Sequence, residues 1–279
     1  MGRTQQAFLW TGFLLSIAFI LWSAQPVLFP EPKISVVVEE DTTPTITIAS
    51  WNLQIFGKTK AANASLMNFY ASVLDDYDIL IVQEIREADG TAFEQLCAKL
   101  QNYTCAVSSR AGRSTSKEQY GVLYRTTTSS GEPLKLLNFQ DFNPDAQDRW
   151  ERSPIAVSFD VGGYVVTLYT IHTKPEDVDN ELEALEDLVD DTGNVIVLGD
   201  LNADCTYYNH QTSSAFADWH WVLDDQEDTT VAKTDCAYDR ILLNEDAFTE
   251  YVRQGIYSEG IDAKVSDHHL VWLVLRTRD

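Results

Sequence analysis

Apolar positions along the chain fall into short runs with two distinct periods. Alternating or unbroken apolar stretches cover residues 46–55, 79–85, 105–109, 121–124, 155–159, 164–171, 195–198, 238–243 and 270–275. Their length and their Val, Ile and Tyr content predict strands. Between them, residues 63–74, 92–100 and 176–188 repeat at helical spacing, and the last opens with acidic residues after Pro175, as a helix start prefers. Many strands with a few interspersed helices predict a layered α/β or α+β domain, two sheets packed face to face with helices outside. No internal repeat or linker-like stretch divides it.

Polar residues interrupt this pattern mainly where runs begin or end. Asn52 follows ITIASW, Glu84 closes ILIVQE, His172 closes VVTLYTIH, and Asp200 and Asn202 follow VIVLG. Asp239 lies in CAYDRI, and Asp267 with His268 precedes HLVWLVL. Each alone has a plain structural explanation as a turn former or a satisfied polar residue. Together they place carboxylates, amides and two imidazoles at the ends of a rigid sheet, where sites are usually built. Oxygen donors without thiolates suit Mg²⁺, Mn²⁺ or Ca²⁺, and imidazoles beside carboxylates suit acid and base work near neutral pH. The combination points to metal-assisted attack of water on a phosphodiester.

Charge and cysteines add compartment and partner. The chain of 279 residues carries a formal charge of -23, so a polyanionic substrate needs a local basic patch and bound cations. Residues 1–30 read as an export segment: Arg3 is the only charge before Glu31, and residues 7–22 are apolar apart from Thr11 and Ser16. That segment is either a cleaved signal peptide or a retained signal-anchor, the second being the only expected membrane contact. Residues 31–44 form a polar lead-in and 45–279 the catalytic domain, expected outside the cytoplasm as a secreted, periplasmic or membrane-anchored enzyme. Four cysteines, Cys97, Cys105, Cys205 and Cys236, fit disulfides in an exported chain, and the lack of a CxxC pair argues against zinc.

The blocks IASWNLQIFG, DILIVQEIRE, GRSTSKEQY, ERSPIAV, YTIHTKP, VIVLGDLNADC, TDCAYDRI and SDHHL resemble, in this order, those of the endonuclease/exonuclease/phosphatase superfamily. NADC, DTT and CAYDRI are similar to deoxyribonuclease I in particular. The resemblance spans about residues 45–276. It implies an α/β four-layer α-β-β-α sandwich, with two mostly antiparallel sheets, and an endonuclease that leaves 5'-phosphorylated DNA. By the same resemblance Glu118 orients His172 and Asp239 orients His268. Asn52, Glu84, Asp200 and Asp267 are expected to hold Mg²⁺ or Mn²⁺, with Asn202 and Arg152 on the phosphate. DNA contacts are expected at Arg86, Arg113 and Tyr207, with Arg110 and Lys117 adding to a basic patch. A Cys205–Cys236 bridge and a structural Ca²⁺ near Asp228 and Thr230 follow from the same source, and a local Cys97–Cys105 bridge is a further option. The substrate partner is double-stranded DNA and the chain a monomer.

The chain also departs from the family pattern. Ser116 stands where the family has a groove-stacking tyrosine, Gln54 replaces a phosphate-binding arginine, and LLNFQDFNPDAQDRW lacks the cysteines of one calcium loop. Rival readings are a relative acting on a lipid or sugar phosphate, and a silent binding module.

Overall fold

The computed structural model describes residues 43–277, so the expected export segment at 1–30 and residues 31–42 of the lead-in lie outside the described residues. Among the described residues, twelve strands build two sheets of six. In the first, the order is β11 (Tyr251–Tyr257), β12 (Leu270–Arg276), β1 (Thr45–Phe56), β2 (Ile79–Ile85), β4 (Gln119–Arg125) and β3 (Tyr103–Val107). In the second it is β5 (Leu134–Asp141), β6 (Ile155–Val161), β7 (Tyr164–Thr170), β8 (Asn194–Asp200), β10 (Asp239–Leu243) and β9 (His220–Trp221). The β1–β2 and β7–β8 pairs are parallel and all other pairs antiparallel.

Three apolar clusters make four layers from these sheets. One lies between them and includes Ile46, Ile81, Val122, Phe159, Leu168, Leu198, Ile241 and Leu273. A second joins the outer face of the first sheet to α2 (Ala64–Leu74) and α3 (Thr91–Cys97) through Trp51, Tyr70, Leu74 and Phe93. The third joins the outer face of the second sheet to α4 (Val178–Glu186) through Ile171, Leu182, Val197 and Trp150. The expected α-β-β-α sandwich is therefore the observed one. Interior strands are buried on both faces, which is why they read as unbroken apolar runs rather than clean alternations.

Side-chain parity aims the polar residues. Successive residues of a strand point to opposite faces. In β1 the even positions Ile46 and Ile48 enter the inter-sheet core while Ala49 and Trp51 face the helices, so Asn52 ends the inward series. Tyr120 and Val122 extend back to Glu118, Val166 and Leu168 run on to His172, Ile196 and Leu198 to Asp200, and Ile241 and Leu243 back to Asp239. Strand direction brings all of these to one end of the sandwich: β1, β2, β7 and β8 finish there, and β4, β6, β10 and β12 start there.

Candidate active site

His172 and Glu118 form the first dyad. Glu118 Oε1 lies 2.7 Å from His172 Nδ1, and Arg152 Nε is 3.1 Å from the same oxygen. The hydroxyl of Tyr120, itself on β4, accepts from the backbone N–H of His172 at 3.0 Å. Burial alone would raise the Glu118 pKa, but His172, Arg152 and Arg86 outweigh it and hold the carboxyl below its ordinary value. Burial pulls the His172 imidazole down, and the charges of Glu118 and Asp200 more than offset it, leaving it above its ordinary value.

His268 and Asp239 form the second dyad, with Nδ1 2.7 Å from Asp239 Oδ2. His268 sits in the loop before β12. Its carbonyl accepts from the Trp51 indole at 2.9 Å, and its N–H donates to Ser266 Oγ at 3.1 Å, while Ser266 donates to Asn52 O at 2.6 Å. Asp239 and Asp200 lift the His268 imidazole against the opposing effect of burial.

The two dyads meet at one oxygen. Asp200 Oδ2 is 3.3 Å from His172 Nε2 and 3.5 Å from His268 Nε2. It also accepts from Asn52 Nδ2 at 2.9 Å, and the same amide reaches Glu84 Oε1 at 3.2 Å. Gly199, just before Asp200, has φ +146°, and a Cβ there would lie 2.4 Å from Ile171 O. Only glycine lets β8 run so close to the strand end that carries His172.

Glu84 breaks the parity rule. In β2 the odd positions Ile79, Ile81 and Gln83 face inward, so an even residue belongs to the helix side. A left-handed backbone at Glu84 (φ 60°) and a register shift between Val82 and Ile85 turn it into the site. Its Oε2 accepts from Ile55 N at 2.8 Å and pairs with Arg86 at 3.0 Å. Left-handed non-glycine residues recur beside it at Gln54 and Ile55, and at Asn202 across the cleft. Such backbone costs about 1–3 kcal/mol per residue and tends to be kept where function needs it.

Among the described residues two groups could hold a divalent cation: Glu84, Glu118 and His172, and Asp200, Asp239 and His268, each with ligand atoms within 4.8 Å of one another. Asp239 Oδ1 is buried without a hydrogen-bond partner. All four cysteines are in disulfides, so the donors are oxygen and imidazole, a set suited to a hard cation. Asp267 stands at the rim, its side chain 52% exposed and Oδ1 3.8 Å from His268 Nε2.

The other expected residues are engaged as follows. Asn52 Oδ1 accepts from Gln54 N at 2.8 Å, and its Nδ2 bridges the carboxylates of Glu84 and Asp200. Arg152 donates through Nε to His172 O at 2.8 Å and through an NH2 group to Thr173 O at 2.6 Å, bracing the first dyad from behind. Arg86 reaches Glu84 and, at 3.4 Å, Glu118, and its other terminal nitrogen donates to Ser116 Oγ. Arg113 is engaged at the surface with Asp148 at 2.8 Å, and Arg110 ties the carbonyls of Arg86, Glu87 and Lys117 together. Asn202 is buried, with Nδ2 donating to Thr173 O at 3.0 Å. Tyr207 is exposed and tilted against Tyr238, ring centroids 5.3 Å apart, next to the second dyad. Around Asp228, Oδ1 accepts from the N–H and hydroxyl of Thr230 and from Cys236 N, so that loop closes on itself.

Sequence reasoning missed the supports. Lys60 donates to Leu53 O and Val265 O, both at 2.7 Å, and links the end of β1 to the His268 loop. Arg240 is fully buried and holds Ala203 O and Leu223 O, fixing the Asn202 loop against β10. A basic residue inside a predicted interior strand, as in CAYDRI, is the signal that could have found Arg240. Nothing in the local pattern marks Lys60.

Both disulfides are present, Cys97–Cys105 joining α3 to β3 and Cys205–Cys236 joining the loops that carry Asn202 and Asp239. The second closes a separation of 31 residues, which should stabilise the fold by roughly 3–4 kcal/mol. Reduction, or Cys205→Ser with Cys236→Ser, should lower the melting temperature and expose this region to protease. An unchanged melting profile would show that the bridge constrains nothing.

The model of the endonuclease/exonuclease/phosphatase family matches residues 49–268. Rattus norvegicus deoxyribonuclease-1-like 1 is 34% identical, covering 82% of this chain and 80% of the relative. Gallus gallus deoxyribonuclease-1 is 31% identical over 84% of this chain and 93% of the relative. The chain is an enzyme of the deoxyribonuclease I family. Among solved structures, D. rerio TDP2 complexed with a single-strand DNA product shares the fold, with TM-score 0.61, 16% identity and coverage of 82% of this chain and 98% of that one. The sandwich is thus shared by a protein of only 16% sequence identity, and a fold alone does not fix function.

Proposed function

We propose that this enzyme is an exported, divalent-metal-dependent DNA endonuclease that cuts phosphodiester bonds to leave 5'-phosphorylated products. The observation that carries the proposal is the convergence on Asp200 Oδ2 of two carboxylate–imidazole dyads, each made of one residue from either sheet. A scissile phosphate seated there has an imidazole Nε2 on either side. One imidazole accepts the proton of the attacking water and the other donates to the leaving 3' oxygen. Glu118 and Asp239 hold the rings by Nδ1, which leaves each Nε2 directed into the cleft. Asn202, whose Nδ2 spends one hydrogen on Thr173 O, has a second to offer the phosphate oxygen as charge develops.

Glu84 and Asp200, with Asp267 at the rim, are the residues proposed to hold Mg²⁺ or Mn²⁺. The chemistry such an ion supplies when bound is positive charge at the phosphate oxygens. Calcium at Asp228 and Thr230 fits less well, since Ca²⁺ takes about six to eight oxygens and this loop offers one carboxylate already engaged by its own donors. Arg152 is read as a brace, not as a phosphate ligand. Arg86 lies within the site, so Arg86→Ala reaches both DNA affinity and turnover.

Two disulfides suit an oxidising compartment and support export. The relatives named deoxyribonuclease support DNA as substrate. The test is supercoiled plasmid, a sphingomyelin vesicle and an inositol phosphate offered to the purified enzyme with Mg²⁺. Nicking of plasmid alone is the expected result. Hydrolysis of the lipid or the sugar phosphate with DNA left intact would move the enzyme to another substrate class, and no hydrolysis of any of the three would favour a silent binding module.

A further inference from the structure

Glu181 is a carboxylate the hydrolytic scheme does not use, and its side chain has no exposure to solvent. Burying a charge is costly unless it is fully hydrogen-bonded. Its Oε1 accepts from Glu151 N at 2.6 Å and its Oε2 from Lys174 N at 2.9 Å. Its position in the first turn of α4 adds the favourable end of the helix dipole. On the same residue, the backbone carbonyl accepts from the Trp150 indole at 2.9 Å. The two loops it joins are not incidental. Residues 150–152 deliver Arg152, and residues 172–174 contain His172 and the two carbonyls that Arg152 holds.

We propose that Glu181 is the positioning residue of the first dyad: its buried carboxylate clasps the backbone amides beside Arg152 and beside His172, and so fixes the Arg152–Glu118–His172 chain. This rests on the reading of that dyad as catalytic. The connections form a closed circuit. Glu181 bonds Glu151 N and Lys174 N, Arg152 bonds His172 O and Thr173 O, and Arg152 and His172 share Glu118 Oε1. Opening the circuit at Glu181 leaves every reacting group present but frees the two loops to slide relative to each other. A misplacement of about 1 Å can cost on the order of 100-fold in rate.

Glu181→Gln keeps volume and shape, but a carboxamide has one acceptor oxygen, and its NH₂ group faces the second N–H. The expected result on plasmid DNA is a kcat lower by roughly 10- to 100-fold with KM within about twofold. Hydrogen exchange at the amide of Glu151 or Lys174 should quicken. The Nδ1 proton resonance of His172 should shift, while that of His268, held by Asp239 outside the circuit, stays in place. Leu182→Ala on the same helix is the control for plain loss of stability, because Leu182 is buried in the outer apolar cluster and its aliphatic side chain can accept from neither loop amide. It should lower the melting temperature and leave kcat within about twofold. The clasp is wrong if Glu181→Gln retains full kcat, or if both variants lose kcat in proportion to their melting temperatures and both histidine resonances move together. His172→Ala separates this failure from that of the dyad itself. If that variant is inactive while Glu181→Gln is normal, only the clasp is lost; if folded His172→Ala cuts normally, the dyad reading falls with it.

Discussion

Removing divalent cations from the enzyme should abolish strand cleavage while leaving the domain folded, and Mg²⁺ or Mn²⁺ should restore the activity. The site gathers Glu84, Glu118, Asp200 and Asp239 within a few hydrogen bonds of one another, with Asp267 at the rim. A phosphodiester adds a further negative charge and must approach through a surface whose sum is -23. Two arginines near the dyads already have their charge committed to Glu84 and Glu118. Something positive has to neutralise the phosphate, and a bound cation is worth several kcal/mol in such a step, a factor of about 10² to 10⁴. The fold should not depend on it, since three apolar clusters and two disulfides hold the domain without using these carboxylates. Plasmid nicking and a melting curve, each with and without excess EDTA, read the two effects separately. Undiminished nicking in EDTA would end the metal-dependent scheme.

How much of this was legible in the sequence depends on where an element lies in its sheet. The interior strands β1, β2, β4, β6, β7, β8, β10 and β12 all stand out as apolar runs, because both faces of each are covered. The unrecognised strands β5, β9 and β11 are edges. Leu137 on β5 and Val252 on β11 are exposed, and an edge strand needs hydrogen bonds on one side only, so its side chains follow no strong pattern. Strand β3, the fourth edge, begins two residues before the apolar run 105–109 that marks it. The short helices α1 (Lys58–Ala61) and α5 (Glu245–Thr249) are too brief for a helical period to register.

The site was legible for a related reason. Asn52, Asp200 and Asp239 stand out because each continues an inward apolar series with a polar residue, and parity alone sends them into the cleft. Glu84 is the exception, visible as a strand-end carboxylate but aimed by a bulge and a left-handed residue that no periodicity forecasts. Bonding partners were the least legible feature. Arg152 and Arg86 look alike in sequence as cations near a phosphate. Only the folded chain shows one holding carbonyls behind His172 and the other lying between two carboxylates.

Loss of either imidazole should cost turnover far more than it costs folding. A general acid or base contributes on the order of 10² to 10⁴ in rate, so His172→Ala and His268→Ala should each lose at least the lower figure on plasmid DNA. The stability effects should differ between the two. With His172 gone, Glu118 still faces Arg152 at 3.1 Å and Arg86 at 3.4 Å, and its charge remains compensated. With His268 gone, Asp239 keeps one buried oxygen that had no partner to begin with and loses the partner of the other. Stranding a buried charge costs about 3–5 kcal/mol, but burial already pushes the Asp239 carboxyl up, so it can take a proton and escape part of that cost. His172→Ala is therefore the cleaner probe, with a melting temperature near that of the parent. The double variant should be scarcely slower than the slower single one, because proton removal from water and proton donation to the leaving oxygen serve one displacement and neither helps much alone. Multiplicative losses in the double variant would mean that the imidazoles act in separate steps. Near-parental nicking by folded His172→Ala would remove it from the chemistry altogether.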